Sequence, residues 1–227
     1  MDERAQGLIV RTLPLTETSL IVHWITREHG RLTTVARGAR RPRSPFSGRL
    51  DLFCLHELVF HRSRRSELHL LREVCLLSAH PGLRTDPDRL RLACEAVRRL
   101  EQATEPESPL PAAFDLLMGL LQYLEVHPAR GRLRLAFELR LLTLLGWDPS
   151  RLMQRLSPRA QELAGALFTR AWGELDTLSP WPEVVQEVRQ FLDRFWRMEV
   201  GIVCSTFEVG FEAKGPGEGR QPGADRT

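Results

Sequence analysis

Leu20-Ile21-Val22-His23-Trp24-Ile25-Thr26, then Arg27-Glu28-His29-Gly30-Arg31, then Leu32-Thr33-Thr34-Val35-Ala36 is the stretch that decides the fold. Its two β-branched, apolar runs read as strands, and Gly30 can supply the positive φ that the turn between them needs. Working outward, Leu8–Leu13 reads as a strand ahead of the turn-rich Pro14–Ser19. Leu50–His61 and Leu68–Leu77 read as two more, joined by the polar tip Arg62–Glu67. Five strands within about seventy residues, with short turns between them, fit a small closed Greek-key barrel of the oligonucleotide-binding (OB) type better than a sandwich.

After Pro81 the apolar period changes from two to 3.6. Thr85-Asp86-Pro87 is a cap with proline in the first turn, opening a helix to about Thr104. Further helices are expected over about Pro111–Val126, Arg130–Leu145, Ser157–Trp172 and Pro182–Glu199. The second and third are apolar round most of their circumference, which marks them as central. Segments this short are not stable alone and must pack as a bundle. The expected class is therefore α+β and multidomain: an OB barrel over residues 1–80, an all-α domain over 81–212 and a disordered tail over 213–227.

The chain has 227 residues and a formal net charge of +3, unevenly spread. Residues 1–81 hold 13 Arg and 8 acids, a balance of +5, whereas the remainder holds 19 basic and 21 acidic side chains, a balance of −2. Arg37-Gly38-Ala39-Arg40-Arg41-Pro42-Arg43-Ser44 puts four guanidinium groups into eight residues, and across residues 27–49 the only acid is Glu28. Guanidinium is a planar donor fork that stays charged and fits phosphate oxygens, so a polyanion is the expected partner and nucleic acid the leading one. The candidate phosphate contacts are Arg31, Arg37, Arg40, Arg41, Arg43 and Arg49, with Arg64 and Arg65 at the tip between the fourth and fifth strands. Of the aromatics in this third of the chain, Trp24, Phe53 and Phe60 read as core, and only Phe46 looks free to stack on a base. Affinity should then come mainly from phosphates.

Other chemistries find little support. Lys214 is the only lysine and lies in Ala-Lys-Gly-Pro, so neither a phosphate-loop lysine nor Schiff-base chemistry is available. Cys54, His56 and His61 can be drawn as a metal cluster, but no Cys-x-x-Cys pair exists and buried free thiols are the plainer reading of the four cysteines. The seven histidines are scattered, no hydrolase or zincin motif occurs, and no enzyme activity or cofactor is expected. No leader-like opening and no run of eighteen apolar residues is seen, so a cytoplasmic protein is expected.

Three segments carry a more specific signal: Thr12-Leu13-Pro14-Leu15-Thr16-Glu17-Thr18-Ser19-Leu20-Ile21-Val22, Thr26-Arg27-Glu28-His29-Gly30-Arg31-Leu32, and Gly38-Ala39-Arg40-Arg41-x-x-Ser44. With Gly48-Arg49-Leu50 and Leu52-Phe53 they resemble the N-terminal domain of the RecO family of bacterial recombinational-repair mediators. Phe137-Glu138-Leu139-Arg140-Leu141-Leu142-Thr143-Leu144-Leu145-Gly146-Trp147-Asp148-Pro149 is similar to that family's central helix and following turn. The resemblance implies an OB barrel packed on a helical domain, binding of single- and double-stranded DNA, and strand annealing. It also implies RecR and the C-terminal tail of the single-strand-binding protein as partners, in the nucleoid-associated cytoplasm. Arg130, Arg132, Arg134 and Arg140 form the candidate basic rim for that tail; the plainer reading is a set of solvated or ion-paired residues, with Glu138 as a partner of Arg134. Many members of the family carry a four-cysteine zinc module after the Gly-aromatic-x-Pro turn; here Ser150–Leu156 contains no cysteine, and no zinc is expected. The rival reading from the residues is an OB-fold RNA-binding protein.

Overall fold

The structure is a computed structural model that describes residues 2–148, 151 and 153–201. The tail expected over 213–227, Cys204 and Pro149-Ser150 of the turn lie outside the described residues. Five strands, β1 (Asp2–Pro14), β2 (Leu20–Thr26), β3 (Gly30–Ala36), β4 (Leu55–His61) and β5 (Leu68–Ser78), close into a barrel in the order β1-β2-β3-β5-β4. Closure uses the length of β1, which pairs with β4 over Asp2–Leu8 and with β2 over Gly7–Pro14, across a register shift between Ile9 and Arg11. The last seam is a short parallel pairing of Thr33–Val35 with Leu68–Leu70. Alternation fills the interior: Ile9, Val22, Trp24, Leu32, Leu58, Phe60 and Leu71 are buried. Trp24 Nε1 donates to Thr34 Oγ1 at 2.8 Å, so the buried indole leaves no donor unpaired.

The helical domain follows a 3-10 turn at Pro81–Arg84: α1 (Pro87–Ala103), α2 (Pro111–Val126), α3 (Gly131–Leu144), α4 (Pro158–Thr169) and α5 (Pro182–Met198). Asp86 caps α1, its Oδ1 accepting from the Asp88 N–H at 2.8 Å. Ser157 caps α4 and is itself held by Glu187, whose carboxylate accepts from the Ser157 N–H and hydroxyl at 2.7 Å each. The central place expected for α2 and α3 is observed: Leu117, Leu120, Leu121, Leu133, Leu141 and Leu142 are fully buried.

Each of the five expected helices is present, with ends shifted by a few residues at most. The strand expected from Leu50 starts instead at Leu55, because residues 50–54 continue a run of turns. The bundle core does not stop at the domain boundary. It extends onto Leu8, Ile25, Phe53 and Leu55, so one outer side of the barrel is sealed by the helices. A polar fringe surrounds this contact: Arg27 forks onto Asp115 at 2.9 and 3.0 Å, and Arg84 reaches Asp51 at 2.9 Å. Gly30 takes φ 68° in the β2–β3 turn, and a Cβ there would lie 2.3 Å from the Ser108 carbonyl oxygen. Glycine is thus required twice over, by the turn and by the close approach of the α1–α2 connection.

Candidate nucleic-acid interface

Residues 37–54 join β3 to β4 by consecutive turns closed by backbone hydrogen bonds: Arg41 N–H to Gly38 O at 3.0 Å, Ser44 to Arg41 at 3.0 Å, Ser47 to Ser44 at 3.1 Å and Arg49 to Phe46 at 3.1 Å. Gly38 and Gly48, with φ 68° and 69°, allow the reversals. Two side chains anchor the loop by pointing inward: Ala39 and Phe46 are 8% and 6% exposed and join the barrel core. The loop is also tied to the β1–β2 turn, where the Arg40 N–H donates to Thr18 O at 3.0 Å and Arg40 Nη1 to Thr16 O at 3.2 Å.

With its apolar residues committed inward, the loop turns Arg37, Arg40, Arg41, Arg43 and Arg49 out to solvent. None of the five forms an ion pair among the described residues. The one acid in the loop, Asp51, is occupied by Arg84. The result is an ordered scaffold carrying five uncompensated cations, which needs little reorganisation to meet a row of phosphates.

Phe46 is a correction: rather than standing free to stack, it plugs the end of the barrel beneath the arginines. The spacing of apolar residues in a run of turns has no fixed period, so its burial had no local signature.

The structure brings five of the eight candidate arginines together and separates the other three. β3 carries the chain from the β2–β3 turn to the basic loop, about 20 Å for seven extended residues. Arg31 lies at the far end, as does the Arg62–Glu67 tip that leads into β5 beside Thr33. Arg64 and Arg65 are exposed there and form no ion pair among the described residues. Arg31 is half-buried, its carbonyl accepting from the Glu107 N–H at 3.0 Å.

This far end holds a cluster that sequence reading missed. Arg62 grips both oxygens of Glu3, Nε to Oε1 at 2.7 Å and Nη2 to Oε2 at 3.0 Å, and also bonds Glu107 through Nη1. The paired guanidinium holds the Glu3 carboxyl below its usual range. His69, 1% exposed, accepts from the Ser63 N–H at Nδ1 (3.2 Å) and donates through Nε2 to Glu107 at 2.9 Å. The acceptor role of Nδ1 fixes the tautomer with the proton on Nε2. Glu107 comes from the α1–α2 connection, some forty residues away in sequence, and its backbone φ of 52° carries strain that these contacts hold in place.

In the helical domain, Arg130, Arg132, Arg134 and Arg140 are engaged internally. Arg132 donates to the carbonyls of Leu175 (2.8 Å) and Leu178. Arg134 lies 3.3 Å from Glu138 and 2.9 Å from Asp193, the first being the partner its sequence spacing suggested. Arg140 bonds the Leu167 carbonyl and stacks 4.3 Å from the Trp172 ring centroid. Arg130 is the exposed member, 3.4 Å from Asp176. Arg130 and Arg132 thus converge on the segment around Asp176 while Arg134 and Arg140 reach two other places, and the set of four forms no single rim.

Among the described residues, no group of three His, Cys, Asp or Glu side chains is placed to hold a metal ion, and no helix is long and apolar enough to cross a membrane. His56, drawn earlier with Cys54 and His61, is fully buried against Trp24, whereas His61 is exposed and bonds Asp2. Burial pushes the His56 imidazole below its usual range.

A closed five-stranded OB barrel bearing a cationic connection and packed on a helical bundle defines a class of two-domain barrel proteins. Family models narrow the class: Recombination protein O N terminal matches residues 1–80, and Recombination protein O C terminal matches residues 84–151. The chain belongs to the RecO family. It is similar to the DNA repair protein RecO of Syntrophus aciditrophicus (strain SB), 33% identical over 147 residues, 65% of this chain and 57% of that protein. That of Pelobacter propionicus is 34% identical over 65% of this chain and 60% of the relative, and that of Anaeromyxobacter sp. (strain Fw109-5) 35% identical over 66% and 59%. The chain thus matches somewhat under two thirds of the length of these curated relatives, and α4 and α5 fall beyond the matched family models.

Proposed function

We propose that this chain is a non-enzymatic DNA-repair and recombination mediator that grips DNA by its phosphates and anneals complementary strands. Acting with RecR and the tail of the single-strand-binding protein, it promotes recombinase loading. The observation that carries this reading is the set of five exposed arginines on an ordered barrel loop, none of them ion-paired among the described residues. Phosphate contacts supply most sequence-independent affinity and say nothing about base edges. A strand held this way keeps its pairing edges open, and screening of the two backbones by arginine lowers the repulsion between complementary strands. Membership of a family whose relatives are named DNA repair proteins supports DNA as the polyanion.

The test combines salt dependence with annealing. Neutralising five phosphates of a single strand gives a slope of log affinity against log salt of about −3.5. Arg40→Ala with Arg41→Ala should flatten that slope and slow annealing of complementary oligonucleotides, with and without cognate single-strand-binding protein. Binding and annealing both unchanged in that variant would sink the mechanism. A matched RNA strand that outcompetes DNA would favour the RNA-binding reading instead.

A further inference from the structure

We propose that the α1–α2 connection is an autoinhibitory acidic strap: the Glu107 carboxylate occupies an anion seat formed by Arg62 and His69 until a nucleic-acid phosphate displaces it. The proposal rests on the DNA-binding reading and adds a restraint to it, since the far end of the barrel is closed to phosphate by the protein's own carboxylate. Glu107 Oε1 accepts from His69 Nε2 at 2.9 Å, and Oε2 accepts from Arg62 Nη1. His69 is 1% exposed, stacks on Phe60 with ring centroids 5.5 Å apart, and has its other ring nitrogen engaged by the Ser63 N–H. Its Nε2–H is therefore aimed at the carboxylate by the fold. Arg62 is fixed in turn by its fork onto Glu3. Two donors converging on the two oxygens of one anion suit a phosphate as well as a carboxylate.

The way the connection is held makes it displaceable. Glu105, Pro106, Glu107, Ser108 and Pro109 are all exposed, and none joins the barrel core or the bundle core. The backbone is tied to the barrel at Arg31, where the Glu107 N–H donates to the Arg31 carbonyl at 3.0 Å beside a parallel bridge between Arg31 and Pro106. Glu107 stands at φ 52°, a left-handed conformation whose strain is relieved when the strap lifts. The Arg62 and Glu107 side chains are 31% and 33% exposed, so water and salt weaken their pairing. Lifting the strap takes two carboxylates, Glu105 and Glu107, away from a tip that carries Arg62, Arg64 and Arg65. A phosphate arriving there meets the same two donors, with the exposed guanidiniums of Arg64 and Arg65 beside them in the chain. The basic loop has no such restraint, because its one acid is held by Arg84. The barrel thus presents one open cationic end and one that opens only by exchange of anions.

The experiment measures anisotropy of a labelled oligothymidylate across a salt series, for the full chain and its variants. Glu107→Gly deletes the seated carboxylate at a position whose φ suits glycine, so thermal melting should show an intact barrel. Its affinity at low salt should rise about fivefold, and its salt slope should steepen by about 0.7, the share of one more phosphate on a single strand. Glu107→Gln, which keeps the side chain's length and loses its charge, should gain in the same direction. Glu105→Gln removes an equal charge from an exposed neighbour outside the seat and should change affinity by less than about twofold. The His69 ring signals in NMR should move on adding the oligonucleotide, and at lower concentration in Glu107→Gly than in the parent. Unchanged affinity and slope in Glu107 variants that melt normally overturn the strap, as do an equal gain from Glu105→Gln or His69 signals that ignore the strand. Signals moved as far by orthophosphate at equal phosphate concentration give the seat to a free anion and overturn the strand as its occupant. A parent slope shallower than about −1 overturns the phosphate grip itself, a failure read from the parent protein alone.

Discussion

The arginines of the barrel loop and those of the helical bundle are the same side chain used in opposite ways. Arg37, Arg40, Arg41, Arg43 and Arg49 face solvent and form no ion pair among the described residues. Arg99 and Arg134, 10% and 13% exposed at the side chain, enclose the buried Glu138, and Asp193 takes the other side of Arg134. Arg99 also lies 4.7 Å from the Trp196 ring centroid. An arginine count therefore does not locate an interface. The distribution of acids does, because a guanidinium with a carboxylate within reach is already spent on the fold.

The sharpest way to break this contrast is to remove arginines from each set in turn. Arg134→Ala leaves the Glu138 carboxylate, itself 3% exposed, with half its compensation, and costs about 3–5 kcal/mol of stability by loss of a buried partner. Denaturant unfolding should show that loss, with DNA affinity of the folded protein unchanged. A stability loss below about 1 kcal/mol would mean that the bundle arginines are no more structural than those of the loop.

The converse variant replaces Arg37, Arg40, Arg41 and Arg43 together by Ala. Stability should stay within about 0.5 kcal/mol, since the side chains removed are exposed and the one side-chain hydrogen bond lost with them among the described residues, Arg40 Nη1 to Thr16 O, is itself at the surface. Single-strand affinity at low salt should fall about a hundredfold, and the salt slope should drop from about −3.5 toward −1 as four of five phosphate contacts disappear. A smaller effect is expected from Arg64→Ala with Arg65→Ala, at the other end of β3: a loss of about threefold. Glu107 and Glu3 lie near that tip, whereas the basic loop has no free acid. Equal losses from the two variants would show that both ends of the barrel hold DNA.

The sequence carried the strands, the helices and the basic loop because each has a local signature: alternation in Leu20–Thr26, a Pro87 start after the Asp86 cap, glycine and proline among the arginines. It set Arg64 and Arg65 on a different connection but could not show that they and Arg31 lie at the opposite end of the barrel from the other five, since which end a turn occupies depends on the order of strands around the closure. Nor could it show Glu107 reaching Arg62 and His69, a contact between distant segments with no periodicity to announce it. The engagement of Arg132 and Arg140 by backbone carbonyls was hidden for a related reason: carbonyl acceptors are present at every residue and leave no mark in composition.

The two regions should also part company in acid. In the barrel, burial pushes His56 and His23 below the ordinary imidazole value of 6.5. Their unfolded forms take up a proton near that value and their folded forms do not, so this contribution is complete above 6.5 and is lost as pH falls below it. In the bundle the sign is reversed. Glu95 has both carboxylate oxygens buried without a hydrogen-bond partner, and burial raises it above the ordinary 4.5. A carboxyl raised on folding weakens the native state where it is ionised, and that penalty is relieved as pH falls through its folded value. Native-state hydrogen exchange, corrected for intrinsic rates, should therefore show barrel amides losing protection between pH 7 and pH 5.5 while amides of α1 and α3 hold theirs. Substituting Glu95→Gln should raise bundle protection at pH 7 and leave the acid response of the barrel as it was; equal softening of both regions in the native protein would show that the neutral imidazoles do not set the pH response.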